Sequence, residues 1–220
     1  MKLMVATPFR GVGMRTARVT LGYHDFVRQL ERDMGAQTFD GKLLFSADVV
    51  RARNRAVAII LRELTEITHV LWVDDDCWPD DHGIVQRMID SGEDMIAAPY
   101  TNKVPPIHWV HQMNGLQEVR GVGFGFTLTT RSCLQRVADD SRWYSEYDPS
   151  GKRTRVPNVF GMLFDRLTHG DDPEEEVLLS EDFSFCARWR RLGGRVILIP
   201  AVIRHAGERA WGVEDISGTC

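Results

Sequence analysis

Residues 69–73, HVLWV, carry four apolar side chains in a row and run straight into Asp74, Asp75 and Asp76. Side chains of an extended chain alternate between faces, so a continuous apolar run suits a central strand covered on both sides. Three adjacent carboxylates then stand at the end of that strand, where they repel one another. Similar short runs occur at KLMVAT (2–7), DMIAA (94–98) and RVILIP (195–200).

Between these runs the apolar spacing changes to the helical period. Residues 16–34 fit a helix stopped at Gly35. Residues 48–67 form the clearest one, with Asp48 at the N-cap and Val49, Ala52, Ala56, Ile59 and Ile60 on one face. Further helices are expected at 81–91, 131–139 and 180–192, and further strands at 42–46, 107–111, 116–119 and along GVGFGFTLTT (121–130). The rhythm of strand and helix predicts an α/β fold with a mostly parallel sheet and helices on both faces. The stretch 141–179, rich in Pro, Gly and charge, reads as a long loop with short elements, of the kind that forms lids or binding segments. One domain is expected, with two functional halves, about 1–100 and about 101–220.

The 220 residues are 43% hydrophobic and 26% charged, ordinary for a globular chain with a real core. No apolar stretch approaches the roughly 18 residues that cross a bilayer, and the start MKLMVATPFRG reads as a first strand rather than a secretory signal. Cys77, Cys133, Cys186 and Cys220 form no CxxC pair, which argues against a zinc ribbon and suits a reducing cytoplasm. A net charge of −4 exerts no general pull toward nucleic acid.

Ligands of open α/β sheets bind at the carboxyl ends of the strands, where the aspartates stand. If the chain stays extended, Asp74 and Asp76 converge while Asp75 points elsewhere. Converging carboxylates are costly unless a cation lies between them, and hard oxygen ligands suit Mg²⁺ or Mn²⁺. An acidic turn with Asp80 or Asp81 capping the next helix explains the same residues. His205, beyond the last run, is a further candidate ligand. In SEDFSFC (180–186), Glu181 and Asp182 suit a helix N-terminus through the macrodipole, and equally suit a general base for a hydroxyl. RARNR (51–55) offers Arg53 and Asn54 to a phosphate or nucleobase, or is a solvated basic face. GVGFGF (121–126) lacks the GxGxxG spacing, so a dinucleotide fingerprint is rejected; glycines there allow close approach of a ligand or another backbone. His108 and His111 on a strand face opposite sides, and no GxSxG elbow or P-loop occurs.

Taken in order, ATPFRG, ARNRAV, THVLWVDDDCWPD, IAAPYTNK, GVGFGFTLTTR and SEDFSFCARWRRLGGRVILIPAVIRHAG resemble the GT-A glycosyltransferases with a DxD motif. The likeness covers most of the chain and is greatest to short, single-domain, family 2-like members from bacteriophages and bacterial gene clusters. The resemblance implies a Rossmann-like α/β/α sandwich around a mostly parallel mixed sheet, in a single domain. It implies a UDP- or GDP-sugar donor bound by the first half and an acceptor bound by the second. Asp74, Asp76 and His205 would hold Mn²⁺ or Mg²⁺ with the donor diphosphate. Thr7, Pro8, Arg10, Arg53, Asn54 and Asp75 would face the nucleoside, and Gly123, Phe124 and Gly125 would line the sugar or acceptor pocket. Asp182 is the first choice as base, with Glu181 its partner.

The reaction so implied moves a sugar to an acceptor hydroxyl on a hydroxymethylated DNA base, a glycan or a protein. The cation neutralises the leaving diphosphate, and a carboxylate takes the hydroxyl proton. A metal-dependent nucleotidyltransferase needs similar carboxylates but also a basic phosphate loop near the first strand, for which GVGMR (11–15) is a faint candidate. A catalytically silent binding module is the third reading, disfavoured by the intact set Asp74, Asp76, Glu181, Asp182 and His205. Arg-rich RTR (153–155) and RWRR (188–191) leave a DNA acceptor open.

Overall fold

The computed structural model describes residues 1–8, 17–38, 48–100, 115–147, 151, 153–167, 175–206 and 210–211. Arg10, the strands expected at 42–46 and 107–111, and most of the tail from Gly207 lie outside the described residues.

The chain begins with β1 (Leu3–Ala6), α1 (Ala17–Met34), β2 (Gln37–Thr38), α2 (Val49–Arg62), β3 (His69–Val73), β4 (Cys77–Pro79), α3 (Ile84–Asp90) and β5 (Met95–Ala97). It continues with β6 (Gln117–Glu118), β7 (Phe126–Thr130), α4 (Arg131–Asp140), β8 (Trp143–Tyr147), β9 (Arg153–Pro157), β10 (Phe164–Leu167) and β11 (Glu175–Leu178). Last come α5 (Glu181–Arg191), β12 (Ile197–Leu198), β13 (Ile203–Ala206) and β14 (Ala210–Trp211).

The central sheet has seven strands in the order β2-β1-β3-β7-β5-β12-β6. Alternation along β1 and β3 divides the core in two. Met4, Ala6, Val70 and Trp72 pack with Ala56, Val57 and Ile60 of α2, Leu134 and Val137 of α4, and Phe185 and Trp189 of α5. Leu3, Val5, Leu71 and Val73 pack on the other side with Phe26 and Leu30 of α1 and Ile84, Val85 and Met88 of α3. Both faces of HVLWV are thus covered, as its continuous apolar run requires, and the result is a three-layer α/β/α domain.

The sheet is mixed. β1 runs parallel to β2 and β3, and β12 parallel to β5, whereas β7 lies antiparallel between β3 and β5 and β6 antiparallel on β12. Among the described residues between β5 and β7 only the short strand β6 occurs, and antiparallel neighbours need no crossover helix. Trp72 Nε1 donates to Thr129 Oγ1 of β7 at 2.9 Å, satisfying the indole inside the core.

Two expectations are sharpened. The segment 141–179, expected as a long loop with short elements, carries two antiparallel hairpins, β8 with β9 and β10 with β11. Asp-Pro-Ser-Gly at 148–151 is a turn signature between two β-rich runs, so the first hairpin was legible. The glycine-rich stretch forms a strand only from Phe126; residues 121–125 precede it without strand pairing.

Candidate functional site

β3 ends at Val73 and the chain turns at once. Asp74 N–H donates to the Gly125 carbonyl at 3.1 Å, and Cys77 N–H donates back to the Asp74 carbonyl at 2.9 Å. Strand alternation therefore stops before the aspartates, and the inference that Asp74 and Asp76 share one side for that reason does not apply. The three carboxylates go three ways.

Asp74 faces Arg53, whose Nη2 lies 3.3 Å from its Oδ1. The same guanidinium meets Glu181 at 3.6 Å and donates from Nη1 to Asp182. Arg53 is buried, its guanidinium carbon 5.6 Å from the ring centroids of both Phe124 and Phe160, and its Nε has no hydrogen-bond partner. Burial by itself depresses its pKa, but Asp182, Asp74 and Glu181 outweigh burial and raise it. One cation thus faces three carboxylates. Asp182 also accepts from Phe124 N–H at 3.0 Å. Burial pushes the Asp182 carboxyl up, Arg53 and the Phe124 amide pull it down, and Glu181 and Asp74 push it up again, leaving it at about 6. α5 positions the pair as anticipated, although the Ser180 hydroxyl makes no cap bond to the helix amides.

Asp75 lies near Tyr23 and helps burial lift that phenol to about 12. Tyr23 Oη is 2.6 Å from Thr7 Oγ1. Thr7 and Asp75, both expected at a nucleoside, therefore share one corner with Tyr23, and Pro8 is buried beside Thr7 in the chain.

Asp76 faces the opposite strand. β4 pairs antiparallel with β13, which sets His205 directly across from Cys77, and His205 Nε2 lies 3.7 Å from Asp76 Oδ1. His205 is thus on a strand rather than in the loop beyond the last one. Ligand atoms of Asp76, Cys77 and His205 all lie within 4.8 Å of one another; Asp76 and Cys77 are buried, and the His205 side chain is 12% exposed. This donor set fits a divalent cation; Asp74 is not part of it. Arg204 fastens the two strands by donating from Nε and Nη2 to the Asp80 carboxylate, each at 2.8 Å. Asp81 accepts from Gly83 N–H at 2.8 Å ahead of α3, but the helix is capped at Gly83 without a side-chain bond, so neither Asp80 nor Asp81 is its N-cap.

Tyr100, not singled out from sequence, joins the two groups. Its ring packs edge-on against His205 at 5.0 Å, and its hydroxyl accepts from Gly125 N–H at 3.2 Å. Burial, with help from Cys77, Asp74 and Asp182, raises its pKa well above the usual phenol value. A Cβ on Gly123 would overlap its hydroxyl, and one on Gly125 would lie 2.7 Å from its Cζ. These glycines are therefore small because a tyrosine ring lies on them. The glycines at 123 and 125 signalled a close approach, but nothing local named Tyr100 as the group that makes it.

Other expected residues have structural partners. Phe124 is fully buried against Trp72, Phe160 and Phe185, a core ring rather than a pocket wall. Asn54 donates to Asn158 Oδ1 at 3.1 Å and accepts from Phe160 N–H at 2.9 Å, which ties down the segment after β9. Arg51 and Arg55, one helical turn apart, both grip Glu146 of β8. The basic segment RARNR is thus largely engaged within the fold, with Arg53 alone reaching the carboxylates.

No protein-family model matches the chain, and no curated protein is similar to it. Among solved structures the chain is similar to that described as "Crystal Structure of A197 from STIV", with a TM-score of 0.58 and 17% identity over 97% of this chain and 91% of that one. At that identity the likeness establishes the Rossmann-like α/β fold alone. No helix among the described residues is long and apolar enough to cross a membrane.

Proposed function

We propose that this chain is a metal-dependent glycosyltransferase that moves a sugar from a nucleotide-sugar to an acceptor hydroxyl. The observation that carries the reading is a juxtaposition at the sheet's carboxyl edge. A carboxyl held near pH 6, Asp182, shares Tyr100 and the 74–76 turn with a cation-competent group around Asp76 and His205. A divalent cation, Mn²⁺ or Mg²⁺ on the oxygen ligands, would act there as Lewis acid toward a leaving diphosphate. Asp76 and His205 hold it, and Thr7, Tyr23 and Asp75 form the corner assigned to the nucleoside. Asp182 takes the acceptor proton, since a base works best with a pKa near the operating pH. Arg53 keeps the crowded carboxylates together, with Asp74 the most exposed of the three at 33% and Asp182 the least at 17%. Acceptor classes remain a hydroxymethylated DNA base, a glycan or a protein. A cytoplasmic setting belongs to this reading, in keeping with the free thiols of Cys133 and Cys186.

The test is a panel of UDP- and GDP-sugars offered with Mn²⁺ or Mg²⁺, read by thermal stability and by sugar-nucleotide hydrolysis. One donor is expected to stabilise the protein in the presence of metal, and Asp76→Ala to abolish that gain. If no donor stabilises it and Asp76→Ala changes nothing, the reading fails. Hydroxymethylated DNA, a lipid-linked sugar and free glycan, each with the matched donor, then sort the acceptors.

A further inference from the structure

The cation group contains a donor that an all-oxygen site has no use for. Cys77 opens β4, and in an antiparallel pair the residues directly opposite project to the same side. Its cross-strand partner is His205. Asp76, one residue earlier in the turn, places Oδ1 3.8 Å from Cys77 Sγ and 3.7 Å from His205 Nε2. Bonds of about 2.0–2.3 Å at tetrahedral angles set neighbouring ligand atoms about 3.3–3.8 Å apart. Octahedral Mg²⁺ at about 2.1 Å brings them to about 3.0 Å. Both distances exceed the octahedral value and lie nearer the tetrahedral one, and all three ligand atoms fall within 4.8 Å of one another.

We infer that Cys77 is a third ligand and that Asp76, Cys77 and His205 take a zinc-class ion, Zn²⁺ or Co²⁺, in near-tetrahedral coordination with one position left for a water or substrate oxygen. The inference rests on the cation pair Asp76–His205 of the proposed function and changes which ion that pair holds. Thiolate and imidazole together select Zn²⁺ over Mn²⁺ and Mg²⁺, which prefer carboxylates, carbonyls and water. Cys77 binds as the thiolate and its proton leaves to solvent on loading. Three protein ligands with one open position is also the pattern of zinc sites that do chemistry rather than hold structure. The Tyr100 ring against His205 fixes the imidazole plane, so the histidine meets the ion without reorientation.

The full chain, stripped of metal, is titrated with Co²⁺ and followed by absorption. A near-ultraviolet thiolate-to-cobalt charge-transfer band is expected in the native protein, retained in Cys186→Ser and lost in Cys77→Ser. Zn²⁺ affinity, measured by competition with a chromophoric chelator, should fall roughly 100-fold in Cys77→Ser while Mn²⁺ affinity moves far less. Should Cys77→Ser not fold, zinc-edge X-ray absorption of the native protein gives the same answer, with one sulfur at about 2.3 Å expected. Cobalt binding without the band, or a zinc shell of nitrogen and oxygen only, overturns the inference and leaves the transferase reading intact. Failure of the native protein to bind Co²⁺, Zn²⁺ or Mn²⁺ overturns both.

Discussion

At the scale of single residues, the telling group is Asp182. Its carboxyl is lifted to about 6 because burial and two neighbouring carboxylates outweigh Arg53. The acid is raised in the folded state, so its contribution to stability is full at pH below about 4 and is lost as pH climbs through about 6. The metal-free native protein should therefore lose stability relative to Asp182→Asn across that window, checked by melting both proteins at each pH. The proposed role as general base asks for the opposite protonation state. The rate should rise through about pH 6, and Asp182→Asn should lower kcat by roughly 10²–10⁴ while metal affinity is kept. Arg53 is the complementary test. Removing it leaves Asp74, Glu181 and Asp182 facing one another without a buried cation, and Arg53→Ala should cost about 3–5 kcal/mol in denaturant unfolding.

At the scale of elements, local signals and long-range fit act together. Asp48 caps α2 by accepting from Val50 N–H at 2.9 Å, as its place before the apolar period indicated. Asp48→Ala should lower unfolding free energy by about 1 kcal/mol with no effect on metal binding. Gly123 is a different kind of position. Its missing side chain accommodates Tyr100, which in turn supports His205. Gly123→Ala should destabilise by about 1–3 kcal/mol through overpacking. Tyr100→Phe removes the overlapping hydroxyl, so the double variant should be more stable than the sum of the single changes, a coupling read from a thermodynamic cycle. Helix spans were legible because an amphipathic period repeats over many residues. Within 141–179 the turn signature at 148–151 was legible but the strand bounds were not, because charged, proline-containing strands at a domain surface carry little hydrophobic alternation to mark them.

At the scale of the whole molecule, the sheet edge collects residues from distant parts of the chain: Arg53 from α2, Asp74–Cys77 after β3, Tyr100 after β5, Asp182 from α5 and His205 from β13. A ligand that bridges these elements binds the folded chain alone and stabilises it by mass action. Cation and nucleotide-sugar, each at about 100 times its dissociation constant, should add about 2.7 kcal/mol apiece. Either alone should add about half of what both do, as a melting series with each omitted will tell.

The sequence by itself determined the layered α/β architecture, because continuous apolar runs and 3.6-residue periods are local patterns that dictate which faces need cover. It also marked Asp74, Asp75, Asp76, Glu181, Asp182 and His205 as the residues with chemistry to offer. How they divide was decided only by the tertiary structure. The turn after Val73 ends strand alternation, so Asp74 goes to Arg53, Asp75 to Tyr23 and Asp76 to His205. The β4–β13 register brings Cys77 opposite His205 across most of the chain's length. Pairing between segments so far apart depends on the packing of everything between them, and no local period encodes it.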